Sequence, residues 1–301
     1  MHPVGSQTGR AAVDPVLALR SEATRQQINL STFITSQDWK SPRISPSALM
    51  QYNRLLDNKR TRNLFVEVKT AMKTEILNLS TSKGATTAVV ARPDKETTAA
   101  VVLIHEWWGI NDHVRDIAGR YASEGFLCIA PDLFRGKSTK DSQEAAKLMH
   151  ELDTVDGMET IRQAVMESKH TYKVQKIGIT GYCMGGTFAL SGACEIEELA
   201  AAATFYGDIP EEKVLAKLKV PTIFFAGTRD AWISPEKVNV LKEAAHKYNL
   251  PVEVVSYDAD HAFFNDTRPE VYNAAAAADA WQRVLKFFRE HLVEVARSSG
   301  A

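Results

Sequence analysis

The spacing of hydrophobic and polar residues changes near Thr74. Residues 1 to about 70 are rich in Ser, Thr, Asn and Gln and show only weak helical periodicity. From Thr74 onward, short apolar runs bounded by turn residues alternate with helical patterns, as in chains built from β-α-β units. We therefore predict an N-terminal extension over residues 1–73, partly helical or disordered, followed by an α/β domain over residues 74–301.

The apolar runs predict eight strands in that domain. The first two flank the turn residues Lys83-Gly84 and therefore predict a hairpin. The third, Ala99 to Ile104, is continuously apolar, which is typical of a strand buried on both faces of a parallel sheet. The predicted strands cover residues 76–79, 87–90, 99–104, 126–130, 176–180, 201–206, 222–226 and 252–257.

Helical patterns fill the gaps between these strands. A first helix is expected after Asn111 or Asp112, either of which can cap it, and it should end at Gly125. A second helical stretch covers residues 143–169, with a break near Asp156-Gly157, and the last helix is expected over residues 269–296. These elements predict a mostly parallel sheet of about eight strands with helices on both faces. Residues 207–220 offer room for a helix and turns but not for a large cap domain.

Composition and charge narrow the expected partners. The 301 residues include 36 Lys and Arg against 37 Asp and Glu, for a net charge of −1. A chain so balanced has no electrostatic attraction for nucleic acid or an anionic membrane, so a small neutral or mildly charged molecule is the expected partner. No apolar stretch reaches the roughly 18 to 20 residues that a membrane span needs.

The cysteines and the N-terminus bear on the compartment. Three cysteines, an odd number without metal-ligand spacing, argue against a disulfide framework and against a zinc site. The N-terminus lacks a signal-peptide pattern, and its acidic residues disfavour a transit peptide. We expect a cytoplasmic monomer or homodimer without metal or cofactor, in which the extension packs on the domain or mediates self-association.

A candidate nucleophile, Cys183, lies between an apolar strand and a helical run, in the segment Gly-Tyr-Cys-Met-Gly-Gly of residues 181–186. This is the context of a strand-to-helix nucleophile elbow, in which side chains two positions before and after the nucleophile would collide with neighbouring segments. Gly181 and Gly185 occupy these two positions and have no side chain, so both collisions are avoided. The plainer interpretation, a small buried residue beside a tight turn, is preferred for Cys128 and Cys194.

A base and an orienting acid should follow the nucleophile, each after a later strand. Asp230 comes four residues after the strand over residues 222–226, and His261 comes four residues after Tyr257. Asp258 and Asp260 compete with Asp230 for the acid role, although both are expected to be solvated loop residues. Asp208, which follows the preceding strand, is a weaker rival. His105 and His113 are expected to be structural or surface residues.

Three segments now point to one family. Residues 105–109 (His-Glu-Trp-Trp-Gly), residues 130–133 (Ala-Pro-Asp-Leu) and the elbow together resemble the signature of the dienelactone hydrolase (carboxymethylenebutenolidase) family, over the chain from about Thr74 to Val295. The resemblance implies an α/β-hydrolase fold and a Cys-His-Asp triad of Cys183, His261 and Asp230. It also implies that Glu106 contacts the thiol and takes part in its activation.

The predicted reaction is hydrolysis of a small ester or lactone through a thioester acyl-enzyme, with the backbone N–H groups of Trp107 and Met184 as oxyanion donors. Trp108, Tyr206 and Arg268 are candidate substrate-binding residues. Dienelactone-specific members of the family bind the substrate carboxylate with arginines, one of them a few residues after the histidine. Here Asn265 and Asp266 follow His261, and the arginine, Arg268, comes seven residues after it. The sequence therefore does not indicate dienelactone itself as the substrate.

Two other functions compete with this prediction. One is a non-catalytic or redox-sensing protein of the same fold, in which Cys183 is a ligand contact or an oxidisable thiol. The other is a serine esterase with Ser191 or Ser123 as nucleophile, which is disfavoured because neither serine has the elbow context.

Overall fold

The computed structural model describes residues 73–293, which form an eight-stranded sheet covered by helices. The strands are β1 (Lys73–Thr81), β2 (Gly84–Arg92), β3 (Ala99–Ile104), β4 (Leu127–Pro131), β5 (Lys176–Tyr182), β6 (Leu199–Phe205), β7 (Thr222–Gly227) and β8 (Val252–Tyr257). The helices are α1 (Asp112–Ser123), α2 (Ser142–Glu151), α3 (Thr154–His170), α4 (Met184–Glu195), α5 (Glu212–Leu215), α6 (Pro235–Tyr248) and α7 (Ala274–Leu292). The predicted α/β-hydrolase fold is confirmed.

The strand order is β1-β2-β4-β3-β5-β6-β7-β8, and β2 is antiparallel to both of its neighbours. Strands β3 to β8 pair in parallel, so their carboxyl ends meet at one edge of the sheet. The register places Ile104 opposite Gly181, Tyr182 opposite Phe205 and Gly227 opposite Tyr257. Loops that leave β3, β5, β7 and β8 therefore begin side by side, as ligand-binding loops of open α/β sheets do.

The core lies on both faces of this sheet. Every residue of β3 is buried, in agreement with its continuously apolar sequence. Helix α7 buries Val284, Leu285 and Phe288 against the sheet. Close packing there depends on Gly178, because a Cβ at this position would come within 2.8 Å of ring atoms of Phe288.

The helical break predicted near Asp156-Gly157 is wrong. The chain breaks at Leu152 and Asp153, and Asp153 caps α3 by accepting hydrogen bonds from the N–H groups of Val155 and Asp156. Aspartate is a strong N-cap residue, so it starts a new helix three residues earlier than the glycine suggested. Gly157 lies inside α3, where its missing Cβ leaves room for the ring of Phe188.

Several other boundaries shift by a few residues. The last helix begins at Ala274, because the side chain of Asn273 caps it by accepting from the N–H of Ala276, and not near Pro269. Strand β6 ends at Phe205, so Tyr206 lies one residue beyond it. Asn111 is the N-cap of α1, and its side chain accepts from the N–H of Val114 at 3.0 Å. Between β6 and β7 the chain forms only the short helix α5.

The predicted extension over residues 1–73 lies almost wholly outside the described residues, since only Lys73 belongs to them. The same holds for the end of the last predicted helix, over residues 294–296. Within residues 73–293, every helix is too short or too polar to cross a bilayer.

Candidate active site

Cys183 occupies the turn between β5 and α4, with φ 55° and ψ −120°. A non-glycine residue at positive φ is strained, at a typical cost of about 1–3 kcal/mol. The turn is tight because a Cβ on Gly181 would collide with the carbonyl of Gly185, and a Cβ on Gly185 would collide with the carbonyls that end β3. The sequence therefore folds into an elbow that holds the sulfur at the carboxyl edge of the sheet.

His261, in the loop after β8, is oriented by a carboxylate from the loop after β7. Its Nδ1 lies 2.7 Å from Oδ2 of Asp230, while Oδ1 of Asp230 accepts hydrogen bonds from the N–H groups of Trp232 and Ile233, both at 2.8 Å. Burial alone would raise the pKa of Asp230, but these hydrogen bonds outweigh it and hold that pKa below its ordinary value. An ionised Asp230 fixes the proton on Nδ1 and leaves Nε2 as the basic nitrogen.

The rival acids do not approach His261 in this way. Asp258 and Asp260 form exposed ion pairs with Arg229, and Asp208 forms one with Lys237. Their surroundings are those of solvated loop residues, as the sequence suggested.

Cys183 and His261 open into the same cavity, which has a volume of about 210 Å³. The loops after β3, β5, β7 and β8 all contribute to its walls, which consist of Glu106, Trp107, Trp108, Cys183, Trp232, His261, Ala262, Arg268 and Val271. A wider, open groove of about 930 Å³ lies at the opposite edge of the sheet, near Leu127 and Val174, where β4 begins and β5 is about to begin. None of the predicted site residues lines that groove.

The surroundings of the Cys183 thiol favour its protonated form. Burial, together with the nearby charge of Glu106, raises its pKa to about 12, and the N–H of Met184 offsets this only in part. Activation of the sulfur therefore needs a nearby group that takes its proton.

Glu106 lies in the same cavity wall as Cys183. Its side chain is almost completely buried at the end of β3, and Oε2 accepts a hydrogen bond from Nδ2 of Asn265 at 2.7 Å. Oε1 is buried and has no hydrogen-bond partner among the described residues. Burial raises the pKa of Glu106, and the Asn265 hydrogen bond and the charges of His261 and Arg268 partly counteract it.

The candidate substrate-binding residues have different positions. Trp108 and Arg268 line the cavity, with the Arg268 guanidinium 5.7 Å from the centre of the Trp108 ring and its Nε bonded to Glu270. Tyr206 is only 1% exposed and is not among the residues that line the cavity. Its ring packs edge-on against His261, with 5.1 Å between ring centres, so Tyr206 contacts the imidazole from within the protein interior.

Trp232 is a cavity residue that the sequence analysis missed. Its indole stacks on the imidazole of His261, with ring centres 5.3 Å apart and an angle of 29°. The rings of Trp107 and Trp232 pack in a T-shaped arrangement, with ring centres 5.5 Å apart. The available signal was its place two residues after Asp230, in a loop at the carboxyl edge. Ala262 and Val271 complete the part of the wall that the sequence did not indicate.

His105 has a structural position. Its Nδ1 donates to the carbonyl of Glu106 at 2.6 Å, and its Nε2 accepts the N–H of Leu133 at 3.1 Å. Burial lowers the pKa of His105, so the ring is neutral and both nitrogens are used. The ring thus joins the turn after β3 to the chain after β4. His113 is also buried, on α1, 3.3 Å from Asp266.

The remaining thiols and hydroxyls lie away from the cavity. Cys128 is buried within β4 and Cys194 near the end of α4, and all three cysteines are free thiols. The hydroxyl of Ser123 donates to the carbonyl of Gly119 on its own helix, and Ser191 lies within α4.

Comparison with known proteins places the chain. A family model described as "Dienelactone hydrolase family" matches residues 86–292, which span β2 to α7. The chain belongs to the dienelactone hydrolase family. The resemblance to this hydrolase family that the sequence predicts is therefore confirmed.

Relatives agree with this placement. The "Putative carboxymethylenebutenolidase" of Aquifex aeolicus (strain VF5) is 33% identical over 205 residues, which cover 64% of this chain and 88% of the relative. The protein of the same name from Yersinia pestis is 33% identical over 223 residues, covering 68% and 83%.

Solved structures share the fold. The crystal structure of the "Putative Dienelactone Hydrolase" of Klebsiella pneumoniae subsp. pneumoniae has 27% identity and a TM-score of 0.68, and covers 74% of this chain and 100% of its own. The dienelactone hydrolase-like promiscuous phosphotriesterase P91, from metagenomic libraries, has a TM-score of 0.68 at 19% identity, covering 73% and 99%, and is similar in fold.

Proposed function

We propose that this dienelactone hydrolase family member cleaves a small ester or lactone through a thioester formed on Cys183. The observation that carries the proposal is the shared cavity, in which the strained cysteine and His261 are brought together while Nδ1 of His261 is tied to Asp230. A nucleophile, a base and a group that orients the base are the minimum set for acyl transfer.

In the first half of the reaction, the S–H bond of Cys183 breaks and its proton moves to Glu106. The electron pair left on sulfur attacks the carbonyl carbon. The resulting oxyanion accepts hydrogen bonds from the N–H groups of Met184, the first residue of α4, and of Trp107, in the turn after β3. When this intermediate collapses, the ester C–O bond breaks, and His261 relays the proton from Glu106 to the departing alkoxide.

Water completes the reaction. Nε2 of His261 removes a proton from water, and the hydroxide attacks the thioester carbon. The C–S bond breaks, the thiolate leaves and takes the proton back from His261. Asp230 stabilises the imidazolium at each stage, which its retained negative charge supports.

The size of the cavity supports a small substrate. A volume of about 210 Å³ suits a short acyl or lactone group, and the chain between β6 and β7 forms only α5 in place of a cap. Arg268 and Trp108 are proposed to contact the substrate from the cavity wall.

The protonated thiol argues against a redox sensor. Redox-sensing cysteines are thiolates at neutral pH and are solvent-accessible, whereas Cys183 is buried and its pKa is raised to about 12.

The three free thiols of the protein fit a reducing compartment such as the cytoplasm. We further propose that the protein is a monomer or a homodimer.

Hydrolysis of p-nitrophenyl acetate tests the function. We expect wild-type enzyme to release p-nitrophenol and Cys183→Ala to be inactive, while Cys194→Ala, the loss of a buried thiol at the far end of α4, keeps wild-type activity. Mass spectrometry of wild type during turnover should show one acetyl group on Cys183. Equal rates in wild type and Cys183→Ala would contradict the proposal.

A further inference from the structure

We propose, on the basis of the function proposed above, that Asn265 is a positioning residue that holds Oε2 of Glu106 and leaves Oε1 as the oxygen that takes the proton of Cys183. Asn265 is 2% exposed and lies four residues after His261, in the same loop. The carboxyl group and the amide meet in the interior, where each hydrogen bond must be satisfied locally.

The orientation of the Asn265 amide is fixed by Thr267. Oδ1 of Asn265 accepts two hydrogen bonds, from the backbone N–H of Thr267 at 3.1 Å and from its hydroxyl at 2.6 Å. Rotating the amide by half a turn would place its NH₂ group against these two donors and its oxygen against the carboxyl group. The NH₂ group therefore faces Glu106 and donates to it.

This fixed donor makes the two oxygens of Glu106 unequal. Oε2 already accepts a hydrogen bond, whereas Oε1 is buried without a partner among the described residues. A proton is best placed on Oε1, because the Asn265 N–H continues to favour a lone pair on Oε2. A hydrogen bond to the ionised form also offsets part of the effect of burial on the pKa of Glu106, and so favours the carboxylate, the form that can receive a proton.

The charged and titratable groups around Glu106 come from three loops. They are Cys183 at the elbow, Tyr206 after β6, and His261 and Arg268 after β8. Nε of Arg268 donates a hydrogen bond to Glu270, whose negative charge offsets part of the effect of Arg268 on Glu106. Asn265 is the direct side-chain hydrogen-bond partner of Glu106 within residues 73–293.

Removing the amide should have two opposite effects. In Asn265→Leu, Glu106 loses its donor and its pKa rises further, so a larger share of it is protonated, it accepts the thiol proton less often and hydrolysis slows. Neutral Glu106 also no longer opposes ionisation of the sulfur, so direct alkylation of Cys183 becomes faster. A structural defect that only exposed the buried thiol would also speed alkylation, but it would do so whether or not the Glu106 carboxylate is present.

The test is the rate of iodoacetamide alkylation of Cys183 across pH, in the intact free enzyme. Near neutral pH we expect Asn265→Leu to react about ten-fold faster than wild type, the factor that one pKa unit represents, and to approach the rate of Glu106→Gln. In the Glu106→Gln background, Asn265→Leu should give no further acceleration. A wild-type rate in folded Asn265→Leu, or the same acceleration in both backgrounds, would overturn the proposal.

A second pair of variants covers the case in which Asn265→Leu fails to fold. Thr267→Val removes one of the two donors to Oδ1 and should raise the alkylation rate in the same direction, whereas Thr267→Ser keeps the hydroxyl and should match wild type. Wild-type rates in both variants would refute the role of Thr267 in fixing the amide. Alkylation does not depend on ester turnover, so this result is independent of whether Cys183→Ala abolishes hydrolysis.

Discussion

The carboxylate of Asp230 orients the imidazole of His261, because Oδ2 of Asp230 lies 2.7 Å from Nδ1 of His261. Oδ1 of the same carboxylate accepts hydrogen bonds from the N–H groups of Trp232 and Ile233 in the loop after β7. The acid that orients the imidazole is therefore itself oriented by the backbone that follows it. Neither partner in this arrangement is free to rotate.

Replacement of Asp230 tests that arrangement. Asp230→Asn keeps the shape but can stabilise the wrong tautomer of His261, and we expect ester hydrolysis to fall by about 10³–10⁴-fold in kcat. Asp258→Asn is the matched control, since this neighbouring acid pairs with Arg229 on the surface. An equal loss in both variants would remove the special role of Asp230.

The thiol of Cys183 should titrate in a characteristic way. Because burial and the charge of Glu106 raise its pKa to about 12, alkylation in wild type should keep rising with pH well above the value of about 8.5 at which a free cysteine titrates. Glu106→Gln removes a negative charge, so the midpoint should move to lower pH. A midpoint that stays in place would exclude Glu106 from the electrostatics of the sulfur.

The glycines of the elbow should tolerate no side chain. In Gly185→Ala the added Cβ meets the backbone carbonyls of Ile104 and His105, which cannot move aside, and we expect a loss of about 2–3 kcal/mol in the free energy of unfolding. Gly192→Ala, on the same helix, places its Cβ 3.1 Å from the flexible side-chain end of Ile179 and should be far milder. Denaturant unfolding of the two variants gives the comparison, and equal destabilisation would contradict the prediction.

Trp232 should matter for rate more than for stability. It is 52% exposed, yet its ring stacks on His261, and such a face stabilises the imidazolium that forms during proton transfer. We expect Trp232→Ala to reduce kcat/KM about three- to ten-fold with little change in Tm, and Trp232→Phe to restore most of the activity. A large fall in Tm would instead indicate a structural role.

Features set by neighbouring residues could be predicted from the sequence. The hairpin at Lys83-Gly84 and the elbow at Cys183 both depend on backbone constraints within a few positions, and their glycines mark them. The start of α3 is harder to predict because Asp153 and Gly157 give competing local signals, and the helix begins after the N-cap residue Asp153.

Features set by long-range contacts could not be predicted in the same way. The sequence predicts Tyr206 in the pocket, but this residue lies one position beyond β6, where its ring packs inward against His261. Trp232 meets His261 only because the loops after β7 and β8 return to the same point. The partnership of Glu106 with Asn265 joins residues 159 positions apart, and nothing in either local sequence indicates it.

The position of β8 at the edge of the sheet has a consequence for how the protein becomes active during synthesis. Within residues 73–293 this strand pairs only with β7, and it comes after the other seven strands in chain order. A nascent chain that ends after β7 carries Cys183 but neither His261 nor Asn265, which both follow β8. On the proposed mechanism, the site therefore stays incomplete until β8 has docked on β7 and the loop that follows it has folded back towards Cys183.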